Sequence, residues 1–407
     1  MKQVELLAPA GDLHKMETAL RYGADAVYLG SPRFGLRAPA GSFDLQALRR
    51  AVDLCHSLGR RLYLTLNAYL RPEEFPELES LLEELRPLDI DAYIVSDPGV
   101  VATVKRIDPG RELHLSTQAN TTNAAAAQLW GSLGVSRVNL ARELTLERIA
   151  AVRQGTSVEL EVFVHGAMCV AYSGRCLLSA VLTGREANRG ECAHPCRWGY
   201  ALVEKTRPGE YMPVEEHQDG TFLFNSRDLC LLDHLPQLIG AGVDSLKIEG
   251  RMKSLYYVAA VTRVYRAALD RFYADPHNYV VDSLWREELD KVSHRPYGTG
   301  FLLGEDSPQV HTTDSAYVRS CDFVGLVHRQ EGELIVEGRN RFFPGENLEL
   351  IGPGMRTKPF KAGRIETLDG EGVPAGQPNM RMRIELPEGA QEGDILRRPM
   401  LNSSLQV

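Results

Sequence analysis

The chain has 407 residues, 43% of them hydrophobic and 25% charged, an ordinary globular balance that excludes a disordered or fibrous protein. No run approaches the roughly 18–20 apolar residues of a membrane helix, and the start, MKQVELLAPAG, has no apolar signal core, so the expectation is a soluble, cytoplasmic protein with no membrane partner. A net charge of −8 speaks against a protein that coats nucleic acid, although a local basic patch within an acidic whole can still serve RNA.

From the N-terminus, eight short runs rich in Val, Ile, Leu and Tyr read as buried parallel strands: 5–11, 23–30, 61–67, 89–97, 112–118, 134–141, 159–166 and 242–250. Helical segments separate most of them. Asp12 is placed to cap LHKMETALRYG, Asp44 to cap LQALRRAVDLCHSLG and Thr145 to cap LERIAAVRQG, with Gly23, Gly59 and Gly134 as stops. This alternation predicts an α/β fold, a (β/α)8 TIM-like barrel over residues 1–310, with a doubly wound open sheet as the rival. The seventh and eighth strands are separated by a long insertion, about 166–243, far more than a loop and helix need. A helical stretch follows from about 253 to 273. Beyond SHRPYGTGFLLG (293–304) the texture changes to short strands between Gly, Pro and Asn turns, which predicts a small C-terminal all-β, barrel-like domain over 315–407.

Five of the seven cysteines fall in the insertion: Cys169, Cys176, Cys192, Cys196 and Cys230. Thiolates are soft, charged donors, and four of them usually hold an Fe–S cluster or structural zinc. The spacing matches neither the short ferredoxin run nor a zinc ribbon. The residues alone therefore indicate a four-thiolate metal site with the metal open; unconnected thiols and disulfides are the alternatives. Under a zinc reading His165 and His194 are possible ligands. Cys55, on the apolar face of its helix, and Cys321, far from the group, read as packing residues.

Polar residues also mark the strand ends: Asn67, Asp97, Gln118, Arg142, Glu143, His165, Glu249 and Arg251. In a barrel these converge on one mouth, although some of them cap helices or pair locally in many folds. Arginine grips carboxylates with two parallel hydrogen bonds, so the mixture suits a small anionic substrate. There is no HExxH, GxSxG or Walker A sequence.

The stretch EVFVHGAMCVAYSGRCLLS (161–179) resembles the signature of the collagenase-like U-type peptidase family, whose peptidase mechanism is unknown. Glu161, Phe163, Gly166, Cys169, Gly174, Cys176 and Ser179 fall on its fixed positions. LLAPAG, GADAVYLG, SRDLCLLDHLPQLIGAGVDSLKIEGRMKS and GRNRFFPGENLEL extend the resemblance over essentially the whole chain. With its C-terminal β domain the chain is most similar to the prephenate-dependent tRNA uridine hydroxylase branch, which makes 5-hydroxyuridine at the wobble position. The resemblance implies an oxygen-independent tRNA hydroxylase with a 4Fe–4S cluster on Cys169, Cys176, Cys192 and Cys230, Cys196 competing with Cys192. Zinc is the alternative metal, and a metal-dependent peptidase the alternative activity. A third reading, which is not enzymatic, is an RNA-binding scaffold with a structural metal.

For prephenate, a dicarboxylate, the expected holders are Arg142, Lys247 and Arg251, with Asn67 and Gln118 binding substrate and His165 or Glu249 carrying a proton. The expected RNA patches are Arg251, Lys253, Arg263, Arg266 and Arg271, and in the β domain Arg339, Arg341, Lys358 and Lys361, with Trp198 and Tyr200 available to stack a base. The oligomeric state is not legible in the sequence.

Overall fold

The computed structural model describes residues 3–31, 33–35, 43–169, 176–198, 202–203, 211–212, 227–304 and 317–400. Strands form where the sequence places apolar residues on both faces of a short run. In chain order these are β1 (Glu5–Ala10), β2 (Ala26–Gly30), β3 (Arg61–Leu66), β4 (Ala92–Val95), β5 (Glu112–Leu115), β6 (Arg137–Asn139) and β7 (Glu159–Ala167). The insertion then supplies a small hairpin, β8 (Leu202–Val203) with β9 (Tyr211–Met212), and β10 (Asp228–Cys230), before β11 (Ser245–Ile248). β11 pairs in parallel with both β7 and β1, so eight parallel strands close into a barrel and the open-sheet rival is set aside.

Leu7, Ala26, Tyr28, Tyr63, Ala92 and Ile94 point inward and pack as one cluster. Their neighbours Leu6, Val27, Leu62, Leu64 and Tyr93 face the helices. Helices α1 (Leu13–Arg21), α2 (Leu45–Ser57), α3 (Phe75–Leu85), α4 (Pro98–Ile107), α5 (Ala124–Ser132) and α6 (Leu146–Gln154) fill the first six crossovers. The expected caps hold: Asp12 accepts from Lys15 N at 2.9 Å, Asp44 from Ala47 N at 2.7 Å and Thr145 from Arg148 N at 3.4 Å. The insertion contributes α7 (Leu178–Thr183) and α8 (Leu235–Gly240), and the barrel ends with α9 (Leu255–Ala274) and α10 (Ser283–Asp290). Among the described residues no helix is long and apolar enough to cross a membrane.

The C-terminal region is all-β. Strands β13 (Cys321–Gln330), β14 (Glu333–Gly338), β15 (Asn347–Ile351), β16 (Thr357–Lys361), β19 (Arg381–Met382) and β20 (Ile395–Pro399) form an antiparallel sheet in the order 16-15-20-13-14-19. β17 (Ile365–Glu366) and β18 (Gly372–Val373) add a hairpin, and β12 (Tyr297–Gly298) joins β10 ahead of this region. Val324, Val336, Phe342, Leu350 and Leu396 make its own core.

This domain lies along α1 and α9. Tyr22 Oη donates to Ile351 O at 3.0 Å. Glu288 sits between two fully buried guanidinium groups, 2.5 Å from Arg263 Nη2 and 2.6 Å from Arg397 Nη1. Burial opposes charge on Glu288, but the two arginines outweigh it and hold the carboxyl below its ordinary range.

Candidate functional site

The strands of a barrel end at one face, and this face is lined by polar side chains on several strands. Arg251, just beyond β11, reaches across β1 and β2 and donates from Nη1 to Thr65 Oγ1 of β3 at 2.9 Å. Gly30 makes this possible: a Cβ there would lie 2.9 Å from Arg251 Nη1. Two residues above Thr65, Asn67 donates from Nδ2 to Gln118 Oε1 at 2.9 Å and to Ser116 Oγ at 3.3 Å. Arg251, Asn67 and Gln118 thus form one arc over β11, β3 and β5.

On the other side, the Arg142 guanidinium carbon lies 3.9 Å from the Phe163 ring centroid and donates from Nη1 to Ala167 O at 2.9 Å. Lys247 Nζ lies 5.5 Å from that ring and 4.5 Å from the Tyr28 ring. It is the top of a buried ionic network inside the barrel. Glu161 Oε1 accepts from Lys247 Nζ and from Asn139 Nδ2, each at 2.9 Å. Arg137 reaches Glu5 at 2.5 Å and Glu161 at 3.5 Å, and Tyr63 Oη donates to Glu5 at 2.6 Å. Burial pushes the Glu161 carboxyl up, but Lys247 and Arg137 outweigh it and hold it low, so the network is charged. Within the network Arg137 and Lys247 balance Glu5 and Glu161, so it fixes Lys247 in place without adding net charge.

Two predicted proton carriers behave differently from the rest. Phe163 pairs with Lys247, but the register then slips, and His165 pairs with Ile248. One extra residue reverses the facing of a side chain. His165 therefore turns away from the mouth into an aromatic layer, its ring 5.5 Å from Tyr265 of α9 and 5.2 Å from Tyr297. Burial, with His294 and Lys253 nearby, pushes its imidazole down to about 3. Glu249 is buried at the end of β11, its backbone packed on Gly166, where φ is +107° and a Cβ would lie 2.5 Å from Glu249 O. Asp97 is a helix cap, accepting from Gly99 N at 2.7 Å and Leu70 N at 3.0 Å. Glu143 is raised by burial, and Arg142 opposes that shift.

The described segment 176–198 of the cysteine-bearing insertion is anchored beyond β3. The insertion leaves β7, and on the opposite side Arg189 donates to Tyr69 O at 2.8 Å and pairs with Glu74 at 2.5 Å, both residues following β3. Arg71 pairs with Glu186 at 3.0 Å beside it. In an eight-strand barrel β3 and β7 are diametrically opposed.

Cys169 is exposed at the end of β7, while Cys176, Cys192 and Cys196 are half-buried on the anchored segment. Cys192 Sγ accepts from His194 N at 3.4 Å. Cys230 lies on β10, 3.9 Å from Tyr265 Oη, its thiol pushed up to about 11 by burial. The donor types suit an Fe–S cluster or zinc, but among the described residues no three Cys, His, Asp or Glu side chains gather as a metal would require. Cys55 and Cys321 are buried, as their packing role requires.

The helical RNA patch needs correction. Arg263 is buried against the β domain with Glu288, Arg266 pairs with Asp25 at 3.2 Å, and Arg271 pairs with Asp282 at 3.2 Å. The sequence shows cations at helical spacing; it does not show that the β domain buries Arg263 or that Arg266 and Arg271 have acidic partners. Trp198 is 43% exposed, and Tyr200 lies outside the described residues.

The peptidase family U32 model matches residues 11–312, and the peptidase family U32 C-terminal domain model matches residues 319–397. The chain belongs to peptidase family U32. Within this family it is 37% identical over 402 residues to the tRNA hydroxylation protein P1 of Bacillus subtilis, covering 98% of this chain and 95% of that one. It is 40% identical to the 23S rRNA 5-hydroxycytidine C2501 synthase of Escherichia coli, covering 80% of this chain and 48% of that one. It is 31% identical to a collagenase of Porphyromonas gingivalis, covering 97% of both. Phe163 is the ring between Arg142 and Lys247, and Glu161 is the carboxylate that holds Lys247. Thr65, Gly30 and Ser116 were missed as site residues; a hydroxyl or glycine at the end of an apolar run was their only signal.

Proposed function

We propose that this U32 protein hydroxylates RNA, and that its substrate is the wobble uridine of tRNA, converted to 5-hydroxyuridine without molecular oxygen. The naming of two relatives for RNA hydroxylation supports the coarser statement. The observation that carries the reading to this chain is the mouth itself: Arg142, Arg251 and Lys247 over a charged network, with the cysteine segment anchored at its rim by Arg189.

Replacing the C5–H of uridine by C5–OH adds an oxygen atom and removes two electrons. Side chains alone do not turn over such chemistry, so a co-substrate or redox group must supply it. In this reading prephenate is the co-substrate. Arg251, held by Thr65, and Arg142, held by Ala167 O and Phe163, grip its carboxylates; Asn67 and Gln118 order its polar groups. Cys169, Cys176, Cys192 and Cys230 are assigned to a 4Fe–4S cluster on donor chemistry alone, with Cys196 and zinc as alternatives.

The peptidase reading is supported by the collagenase relative and by a relative named as an uncharacterized protease. It needs a base or nucleophile at the mouth, and the histidine expected there faces α9 instead.

The test is mass spectrometry of tRNA nucleosides from a deletion strain complemented with wild type, Cys176→Ala and Arg251→Ala. Loss of 5-hydroxyuridine and its derivatives, restored by wild type alone, is expected. Normal levels in a deletion strain without a paralogue reject the function.

A further inference from the structure

We propose that Lys253, Tyr317, Arg319, Arg341, Phe343 and Lys361 form a shelf beside the barrel mouth that holds the single-stranded RNA nucleotides flanking the base presented to the mouth. The inference rests on the RNA reading above and gives it a docking surface.

The placement follows from α9. Its N-terminus leaves β11 at the mouth, so Tyr256 marks the mouth end of the interface between barrel and β domain. Phe323 stacks on Tyr256 with ring centroids 6.2 Å apart. Asn340 Nδ2 donates to Phe323 O at 2.8 Å, and Arg339 N to Val324 O at 2.8 Å. The loop from Arg339 to Phe343 is therefore on the mouth side of the β domain. Lys361 ends β16 beside the same loop: a Cβ on Gly345 would lie 3.9 Å from its Cε. Lys358, at the start of β16, is at the other end of the strand, where Lys358 pairs with Leu350 next to Ile351. The lower part of the interface, where Tyr22 meets Ile351, is at that end.

A line of contacts joins the loop to the mouth. Lys253 Nζ, two residues beyond Arg251, lies 4.2 Å from the Tyr317 ring centroid. Arg319 meets Asp322 at 3.3 Å, Asp322 meets Arg398 at 2.9 Å, and Arg398 donates to Arg341 O at 3.2 Å. The Arg341 guanidinium then lies over the Phe343 ring at 4.8 Å.

The chemistry is that of an RNA loop surface. Tyr317 and Phe343 are each 41% exposed, although large aromatic rings are normally buried, and each carries a cation over its face. Rings of this kind stack splayed bases, and adjacent Arg and Lys take the phosphates. The alternating arrangement of ring and cation matches a strand of nucleotides better than it matches a peptide, whose side chains would need apolar pockets. Of the α9 cations, Arg263 is buried against Glu288, while Arg266 and Arg271 pair with Asp25 and Asp282.

The experiment measures binding of unmodified tRNA transcript to the full chain by fluorescence anisotropy at several salt concentrations. Phe343→Ala should weaken binding about tenfold or more, and Phe343→Trp should restore it, since a ring that stacks is replaced by another. Arg341→Gln should make the dependence of log affinity on log salt shallower by about one, and Lys358→Ala, at the far end of the sheet, should change neither. Wild-type binding with Phe343→Ala and Arg341→Gln both unaltered overturns the shelf while leaving the RNA reading intact. Failure of wild type to bind any tRNA removes both. Binding of a denatured-collagen peptide that Phe343→Ala abolishes, with tRNA affinity unchanged, transfers the surface to a peptide partner and also overturns it.

Discussion

Gly30→Ala tests the arginine at the mouth without touching it. The added Cβ would stand 2.9 Å from Arg251 Nη1 and 3.3 Å from Cζ. Ordinary carbon contacts need about 3.5 Å or more, so the guanidinium must retreat by roughly 0.6 Å. Its bond to Thr65 Oγ1 is 2.9 Å long and lengthens beyond useful geometry. The atoms that must move are the far end of a flexible side chain, so the barrel itself should be nearly unaffected, with melting shifted by no more than about 2 °C. A charged hydrogen bond carries about 1.5–3 kcal/mol, which is roughly 10- to 150-fold in affinity for a carboxylate placed by that arginine. Calorimetric titration of prephenate into wild type, Gly30→Ala, Arg251→Ala and the double variant measures this. The double variant should be no weaker than Arg251→Ala alone, because both act on one contact. Wild-type affinity in Gly30→Ala, or full additivity in the double variant, would refute Arg251 as the carboxylate holder.

Three further outcomes are expected. Protein purified anaerobically should carry about four irons and four sulfides per chain, lost in Cys169→Ala and Cys176→Ala but kept in Cys55→Ala; stoichiometric zinc without labile sulfide refutes the cluster. Glu288→Gln should cost about 3–5 kcal/mol in urea melts and speed proteolytic release of the β domain, because it leaves Arg263 and Arg397 buried without their shared carboxylate; an unchanged melt refutes the role of that triad. Burial holds the His114 imidazole below its ordinary 6.5. The unfolded chain therefore takes up the proton first, and stability falls as pH drops below about 6.5; His114→Gln should flatten that slope by up to about 1.4 kcal/mol per pH unit, read from melts between pH 7.5 and 5.5.

The amino-acid sequence by itself determined the eight barrel strands, their capped helices and the all-β end, because burial on both faces and helix capping are local properties of short runs. It also placed Arg142, Arg251, Asn67 and Gln118 at the mouth, since a polar residue ending a barrel strand has one face to go to. Tertiary structure alone decided the rest. A one-residue slip between β7 and β11 turned His165 out of the mouth, and no local pattern announces a slip that depends on the neighbouring strand. The charged core of Glu5, Arg137 and Glu161 joins residues more than a hundred positions apart, so only closure of the barrel reveals that Lys247 is held from below. The cations of α9 looked like an RNA stripe until the β domain buried Arg263 and ion pairs took up Arg266 and Arg271, and the same packing fixed which end of the β domain carries the loop of Phe343. Which residues are exposed is decided by what packs against them, and that is a property of contacts distant in the chain.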